Sequence, residues 1–271
     1  ASGSQKCSGT AIRDTVWVEP TPRVVVTPKQ DTICDGDNVN ITLTSSTTST
    51  RQVRFRYTVE KAAEVDVIPG TGENLVPGTI LTDQINNNSD TSQLVRFIIT
   101  PYTRNAGNDN EKCPGINDTA YIWVEPTPKV VATPSQDTIC DDETTDILLT
   151  SVTKATLPVR FDYYVTAENP DSVDITTVSG RTGLLRGESI QETIDNLSDT
   201  AQFVTFRIWP YTVTPGGFER CSGDTITAGV WVEPTPKVVA TPSQDTICDD
   251  ETTDILLTSV TKATLPVRFD Y

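Results

Sequence analysis

One string of 41 residues occurs twice in this chain without a single change. It runs from 123 to 163 and again from 231 to 271. A diverged copy begins at Trp17, and the tryptophans that open the three copies (Trp17, Trp123 and Trp231) are 106 and 108 residues apart. A unit of this length matches one immunoglobulin-like sandwich and exceeds the units of about 20–50 residues that stack in solenoids. We therefore expect a row of domains that each fold separately.

The repeats divide the chain into four parts. Residues 1–19 have the pattern of the last strand of an upstream repeat, 23–125 and 129–233 are two complete repeats, and 237–271 are the first strands of a further one. Because the chain starts and stops within a repeat, we expect it to be a segment of a longer array. The alternative is a fragment cut at arbitrary points.

The repeats are joined by the sequence WVEPTP. Each proline fixes its own φ and biases the preceding residue toward an extended conformation. The joints at 20–22, 126–128 and 234–236 are therefore predicted to be short and semi-rigid, which favours a stiff rod over a loose string of domains.

Within each repeat, apolar and polar residues alternate. Val159, Phe161 and Tyr163 share one parity, with Arg160 and Asp162 on the other. This pattern indicates antiparallel sheets with one face in water. The predicted strands of the second repeat are Val130–Thr133, Asp137–Ile139, Asp146–Ser151, Pro158–Thr166, Ser172–Val178, Ser189–Asn196, Gln202–Tyr211 and Thr225–Val232. The predicted fold is all-β, as tandem immunoglobulin-like antiparallel β-sandwiches in an extended rod.

Composition excludes several function classes. The formal net charge is −16 and histidine is absent. A nucleic-acid partner requires a basic face, and anionic lipid also attracts basic proteins. Without histidine the commonest general base and metal ligand are missing, as is every Ser-His or Cys-His nucleophile pair. No apolar stretch is long enough to cross a membrane. We predict no enzyme activity, no catalytic residue, no nucleic-acid partner and no direct insertion into a membrane.

Six cysteines occupy corresponding places in the copies. One follows the string DTI and one precedes the last strand, giving Cys34, Cys140 and Cys248 in the first place and Cys7, Cys113 and Cys221 in the second. The absence of any Cys-x-x-Cys spacing and of histidine disfavours zinc. Disulfides in an oxidising compartment are predicted, with buried free thiols as the alternative.

Two disulfide pairings stay open. Pairing within a repeat would join Cys34 to Cys113 and Cys140 to Cys221, but the two members of each pair are expected at opposite ends of a sandwich, about 20 Å apart. Head-to-tail pairing would join Cys34 to Cys221, where one repeat meets the next. A third pairing, Cys113 to Cys140, is disfavoured because an extended joint separates the two residues.

Two sets of residues are weaker site candidates. Acidic turns at Asp35 and Asp37 and at Asp141 and Asp142 offer oxygen ligands for calcium, although they lack a calcium-loop spacing and no cofactor is expected. Trp209 has the outward parity of its strand and is the best single candidate for a ligand contact. The tryptophans that precede the linkers are expected to pack in a core or at a junction, with sugar stacking as the alternative.

Several strings carry a family resemblance. The chain resembles the PKD-like repeats of Bacteroidota surface proteins in three strings. They are EPTP followed by VV, then TP and QDTIC; NLSDTAQFVTFRI later in the repeat; and Cys-[Ser/Pro]-Gly before the last strand. Such repeats build giant adhesins, including gliding-motility adhesins exported by the type IX secretion system. The resemblance implies PKD-like sandwiches in a cell-surface stalk or filament, located outside the cell.

The resemblance also implies O-glycosylation at Asp-Ser/Thr followed by a small or apolar residue. A structural reason for the same tripeptide is that Asp-Thr favours a turn leading into a strand. The candidate acceptors are Thr15, Thr32, Thr119, Thr138, Ser172, Thr200, Thr225 and Thr246.

The function predicted from the sequence is structural. The repeats are expected to be spacers in a long, acidic, disulfide-stiffened extracellular adhesin, with neighbouring repeats as their partners. The alternatives are a carbohydrate-binding module for surface polysaccharide, and a subunit of a filament in which copies of the chain pack side by side.

Overall fold

The computed structural model describes residues 7–105, 107, 110–175 and 180–270. These residues form β-strands joined by turns and loops, together with one 3-10 turn at Pro170–Ser172 and no α-helix. The all-β prediction is confirmed. No helix in the described part of the chain is long and apolar enough to cross a membrane.

In its described residues, the first repeat has eleven strands. In chain order they are β1 (Val25–Thr27), β2 (Gln30–Cys34), β3 (Ile41–Thr44), β4 (Gln52–Glu60), β5 (Val65–Ile68), β6 (Thr71–Leu75), β7 (Ile80–Leu81), β8 (Gln84–Asn87), β9 (Gln93–Arg104), β10 (Glu111–Pro114) and β11 (Asp118–Glu125).

Two main sheets enclose the core of this repeat. One has the order β1-β3-β7, and the larger has the order β2-β11-β9-β4-β6, with β10 paired to β9 and a separate β5-β8 pair. The first two strands belong to different sheets. Strand β1 is antiparallel to β3 in the smaller sheet, whereas β2 is parallel to β11 in the larger one. Inward residues such as Phe55, Phe97 and Ile99 are fully buried, as their parity predicts.

The second repeat has the same plan. Its strands are β12 (Val131–Pro134), β13 (Thr138–Ile139), β14 (Glu143–Thr144), β15 (Ile147–Thr150), β16 (Val159–Ala167), β17 (Val173–Ile175), β18 (Gly180–Leu184), β19 (Ser189–Ile190), β20 (Thr193–Asn196), β21 (Gln202–Val213), β22 (Glu219–Ser222) and β23 (Ile226–Val232). The sheets are β12-β15-β19, β13-β23-β21-β16-β18 and β14-β20-β17. Its separate core is centred on Phe161 and Phe206.

Some strands differ from the sequence prediction. The strand expected at Ser189–Asn196 is two strands, β19 and β20, which belong to different sheets. The strands β18 and β22 were missed, because their glycine-rich and charged sequences show no alternation. Of the strand expected at Ser172–Val178, the structure has β17, and residues 176–178 lie outside the described residues.

The third copy forms one strand pair. Strands β24 (Val239–Pro242) and β25 (Ile255–Thr258) pair in the register that β12 and β15 use. Ile255 is 51% exposed, whereas its identical counterpart Ile147 is fully buried. The sequence of this strand pair is therefore sufficient to form it, but residues 237–270 do not build a closed core.

Candidate functional site: the junction between repeats

The carboxyl end of the first repeat meets the amino end of the second at the linker of residues 126–128. Strand β11 brings Glu125 to this point, and Glu125 is fully buried. Its carboxylate accepts hydrogen bonds from Ser92 Oγ at 2.8 Å, Thr156 N at 2.9 Å and the hydroxyl of Thr156. A buried carboxylate is tolerated only when it is hydrogen-bonded, so these contacts hold the two repeats in one arrangement.

Backbone hydrogen bonds cross the same junction. Lys154 N donates to Asp90 O at 2.7 Å, and Ser92 N donates to Lys154 O at 3.1 Å. Thr91 and Lys154 thereby form a short parallel β-bridge between loops of different repeats. Lys129 Nζ adds an ion pair to Asp90 Oδ1 at 2.6 Å.

Two contacts fix the linker itself. Thr127 Oγ1 donates to Asp35 Oδ2 at 2.6 Å, which ties the linker to the end of β2. Gly223 lies directly over the carbonyl of Pro128, where an added Cβ would be only 1.9 Å from that oxygen. A side chain at 223 would therefore force the linker and the second repeat apart.

A disulfide closes the junction. Cys34 at the end of β2 bonds to Cys221 in β22, with a Cα–Cα distance of 5.5 Å and a sequence separation of 187. Arg220 donates from its guanidinium to Thr32 O beside this bond. This is the head-to-tail pairing of the two that the sequence left open, because β2 ends at the bottom of one sandwich and β22 lies at the top of the next.

Four cysteines are free in the described residues. Cys7, Cys140 and Cys248 are exposed, and Cys113 is partly buried in β10. Cys140 occupies the place in the second repeat that Cys34 has in the first, and Cys113 occupies the place of Cys221. Neither is disulfide-bonded in the described part of the chain.

The same junction geometry recurs on both sides. Glu233 accepts hydrogen bonds from Thr264, and Lys237 Nζ lies 2.5 Å from Asp199 Oδ1. At the amino-terminal joint, Ser49 Oγ donates to Glu19 at 2.6 Å, and hydrogen bonds from Ser49 and Thr50 lower the pKa of Glu19. The glutamate of WVEPTP was missed as a functional residue. The sequence carries no signal for its burial, because a charged residue after the inward-facing Val124 has the outward parity of the strand.

The weak calcium candidates are used as hydrogen-bond acceptors. Asp35 accepts from Asn87 N at 2.7 Å, and Asp37 accepts from Cys34 N at 3.1 Å. Asp141 accepts from Asn196 N at 2.7 Å. No group of three or more potential ligands that would suit a metal ion occurs in the described part of the chain.

The second repeat nevertheless concentrates acidic groups near Asp195. Burial, followed by hydrogen bonding to Asp142 and repulsion from its neighbours, raises the pKa of Asp195. Asp142 has a positive φ of 62°, in a turn where the first repeat has Gly36.

The linker tryptophans do not pack in a core. Trp17, Trp123 and Trp231 are 79%, 40% and 38% exposed, so the prediction that they pack in a core is wrong. Trp231 lies between the buried residues Val230 and Val232 and therefore points outward. Its ring packs against Phe203 at 5.0 Å.

Trp209 is on the outer face of β21, as its parity predicts, and is partly buried. It packs against Tyr164 at 5.9 Å, and Arg207 lies 5.3 Å from the ring centre of Tyr164. The first repeat has Thr100 in the place of Trp209, so this aromatic group belongs to the second repeat alone.

The predicted glycosylation acceptors differ in their exposure to solvent. Thr15, Thr225 and Thr246 are exposed, whereas Thr32, Thr119, Thr138, Ser172 and Thr200 are partly buried. Thr119 N donates to Asp118 Oδ1 at 3.0 Å, the local contact by which aspartate favours the start of a strand.

One buried interaction was not foreseen. Tyr57 donates to the buried carboxylate of Asp83, which also accepts from Gly70 N at 2.8 Å. Tyr163 and Glu192 form the corresponding pair in the second repeat. Burial, reinforced by the acidic partner, raises the pKa of both tyrosines well above the usual value.

The model of the PKD-like domain family matches residues 31–128 and 137–236, well over half of the chain. The chain belongs to this family, and its two complete repeats are tandem PKD-like domains.

Similarity to other proteins is weak. The Escherichia coli adhesin FdeC is 12% identical, with 92% of this chain and 76% of that chain covered and a TM-score of 0.33. The Yersinia pseudotuberculosis adhesin InvE is also 12% identical, with 78% and 58% covered and a TM-score of 0.30. No curated protein matches the sequence.

Proposed function

We propose that these PKD-like repeats are structural spacers of an extracellular surface adhesin or filament, which hold another part of the protein away from the cell. The supporting observation is the junction between repeats. A buried glutamate, a β-bridge and a disulfide connect the first repeat to the second, in addition to the proline linker. A flexible tether would need none of these contacts.

The remaining chemistry fits this role. A disulfide suits an oxidising environment outside the cell. The net charge of −16 keeps long fibres soluble and mutually repelling. We propose that the chain is not an enzyme and needs no cofactor. On the sequence resemblance, we propose that the parent protein is a Bacteroidota adhesin exported by the type IX system, with glycans on exposed acceptors such as Thr225.

The test measures whether the junction is stiff. Spin labels are placed at the exposed residues Lys61 and Glu168, one in each complete repeat, and the distance distribution is measured by pulsed electron paramagnetic resonance. We expect one narrow distribution. Combining Glu125→Ala with Cys34→Ser and Cys221→Ser should broaden it. A broad distribution in the unmodified chain would contradict the spacer proposal.

One observation favours a second candidate, carbohydrate binding. Tyr164 and Trp209 form an aromatic pair on the outer face of the second repeat, and aromatic rings can stack on sugars. Trp209→Thr, which introduces the residue of the first repeat, should then abolish retention in affinity electrophoresis through surface polysaccharide. Equal mobility of the two proteins in every polysaccharide tested would remove this candidate.

A further inference from the structure

The Cys34–Cys221 disulfide joins two points that are adjacent in space and far apart along the chain. Residues 35–220 lie between them, and these residues include most of both hydrophobic cores. The covalent structure therefore offers two routes from the start of the first repeat to the end of the second. One passes through both domains, and the other crosses the disulfide.

The route across the disulfide is short and already extended. It follows β1 and β2 from Arg23 to Cys34, crosses to Cys221 and follows β22 and β23 to Glu233. At about 3.3–3.6 Å per residue, these segments reach about 80 Å when fully stretched. The long strand of each repeat has 12 residues and spans about 40 Å, so two folded repeats placed end to end also span about 80 Å.

The other route is far longer. From Arg23 to Glu233 through both domains, the fully stretched chain would reach about 700 Å. Without the disulfide, tension that unfolded both repeats would lengthen the molecule by about 600 Å. With it, the covalent route that bears the load is almost taut in the native state.

We propose that the Cys34–Cys221 disulfide is a tensile link that carries load past both domain cores, so that the two-repeat unit cannot lengthen when a repeat unfolds. The proposal rests on the spacer function, because tension along the axis is the load that a spacer bears. Cys221 is 3% exposed, which shields one sulfur of the link from reductants in solution.

Strand pairing holds the short route in place. Strand β2 is parallel to β11 over five residue pairs from Gln30 to Cys34, and β23 is antiparallel to β21 over seven pairs from Ile226 to Val232. Both loaded strands lie in the larger sheets, and the disulfide connects the end of one to the hairpin that precedes the other.

The experiment is single-molecule force spectroscopy on the whole chain, held by its two termini. In the oxidised protein we expect no unfolding step that releases residues 35–220. After reduction with dithiothreitol we expect steps that together release those 186 residues, a gain of about 650 Å in contour length. The double variant Cys34→Ser, Cys221→Ser should show the same gain without reductant.

The matched control is Cys113→Ser, which removes a free cysteine and leaves the disulfide in place. It should behave like the unmodified chain. Long unfolding steps in protein that has not been reduced would overturn the proposal, because they would show that the Cys34–Cys221 link is absent or breaks under load. So would a Cys34–Cys113 link in a non-reducing peptide map.

The two proposals can fail separately. A broad distance distribution across the junction, together with short steps in the oxidised chain, would reject the spacer and retain the tensile link. A narrow distance distribution together with long unfolding steps in the oxidised chain would retain the spacer and reject the tensile link.

Discussion

Glu125 and Thr156 belong to different repeats, and the carboxylate of Glu125 accepts hydrogen bonds from both the backbone N–H and the hydroxyl of Thr156. The same relationship recurs between Glu233 and Thr264. The linker is therefore held by a specific polar contact to the following repeat as well as by its prolines. Because the Glu125 carboxylate is buried, the loss of this contact should alter the junction more than the loss of a surface ion pair would.

Glu125→Ala should loosen the junction. The variant leaves the Thr156 N–H and the Ser92 hydroxyl without their acceptor, at a cost of about 1–3 kcal/mol. We expect faster amide hydrogen exchange at Ser92, Lys154 and Thr156, measured by mass spectrometry. Glu60→Ala is the control, because the Glu60 carboxylate forms an exposed ion pair with Arg96, and its loss should change stability by less than about 0.5 kcal/mol. Unchanged exchange at all three amides in Glu125→Ala would contradict this role.

Gly223→Ala should destabilise the start of the second repeat. The new Cβ would lie 1.9 Å from Pro128 O and 2.7 Å from Pro210 Cγ, so backbone atoms have to move. Overpacking of this kind costs about 1–3 kcal/mol, which should appear as a lower melting temperature in calorimetry. Gly9→Ala is the matched control, because nothing lies within 4 Å of its added Cβ. Equal melting temperatures for the two variants would show that the close approach is unimportant.

Stability should fall in alkali because of the buried tyrosines. The pKa of Tyr57 is raised in the folded state, so its stabilising effect is complete below the unfolded pKa of about 10 and is lost as pH rises toward the folded pKa. Each such tyrosine contributes a slope of about 1.4 kcal/mol per pH unit in that window.

Tyr57→Phe tests this assignment. The variant should lose about 1–3 kcal/mol at neutral pH, because Asp83 loses a donor, and its alkaline slope in urea unfolding should be shallower. Tyr121→Phe, at an exposed position on the outer sheet face, is the control and should change little. A Tyr57→Phe slope identical to that of the unmodified chain between pH 10 and 12 would refute the prediction.

Completing the third copy should bury its apolar residues. Residues 237–271 are identical to 129–163, so appending a copy of residues 164–233 after Tyr271 gives a third full repeat. Ile255 should become buried like its counterpart Ile147, and its amide should then be protected from hydrogen exchange. Cys140 should bond to the appended cysteine that corresponds to Cys221, because the contacts of Glu233 and Lys237 already form this junction.

Non-reducing peptide mapping and hydrogen exchange measure these outcomes. The unextended chain is the control, in which Cys140 should be alkylated readily. Alkylation of Cys140 at the same rate in the extended protein would contradict head-to-tail pairing as a general feature of these repeats.

Sequence reasoning established the β class, the repeat and the parity of residues such as Phe161 and Trp209. It reduced the possible disulfide pairings to two, within a repeat or head-to-tail. It could not choose between them, because the choice depends on how the ends of two separate domains approach each other. It missed Glu125 and Asp83 for a related reason. A carboxylate in a linker or a loop is usually solvated, and only the tertiary partners show that these two are buried and hydrogen-bonded.

The two identical copies, residues 123–163 and 231–271, show within one molecule what the local sequence determines and what the tertiary structure adds. The strands β12 and β15 pair as β24 and β25 do, so the sequence alone determines this register, through alternation and contacts that the copy contains. Of the two identical copies, only the one in the second repeat forms the strand β13 (Thr138–Ile139), because β23 lies beside it there. In the third copy, the described residues 237–270 hold no counterpart of β23, and Ile247 is 39% exposed and outside any strand. Strands that are close together in the sequence pair through residues of their own copy. Strand β13, the closed core and the disulfide instead need partners distant along the chain, and only the tertiary structure brings these partners together.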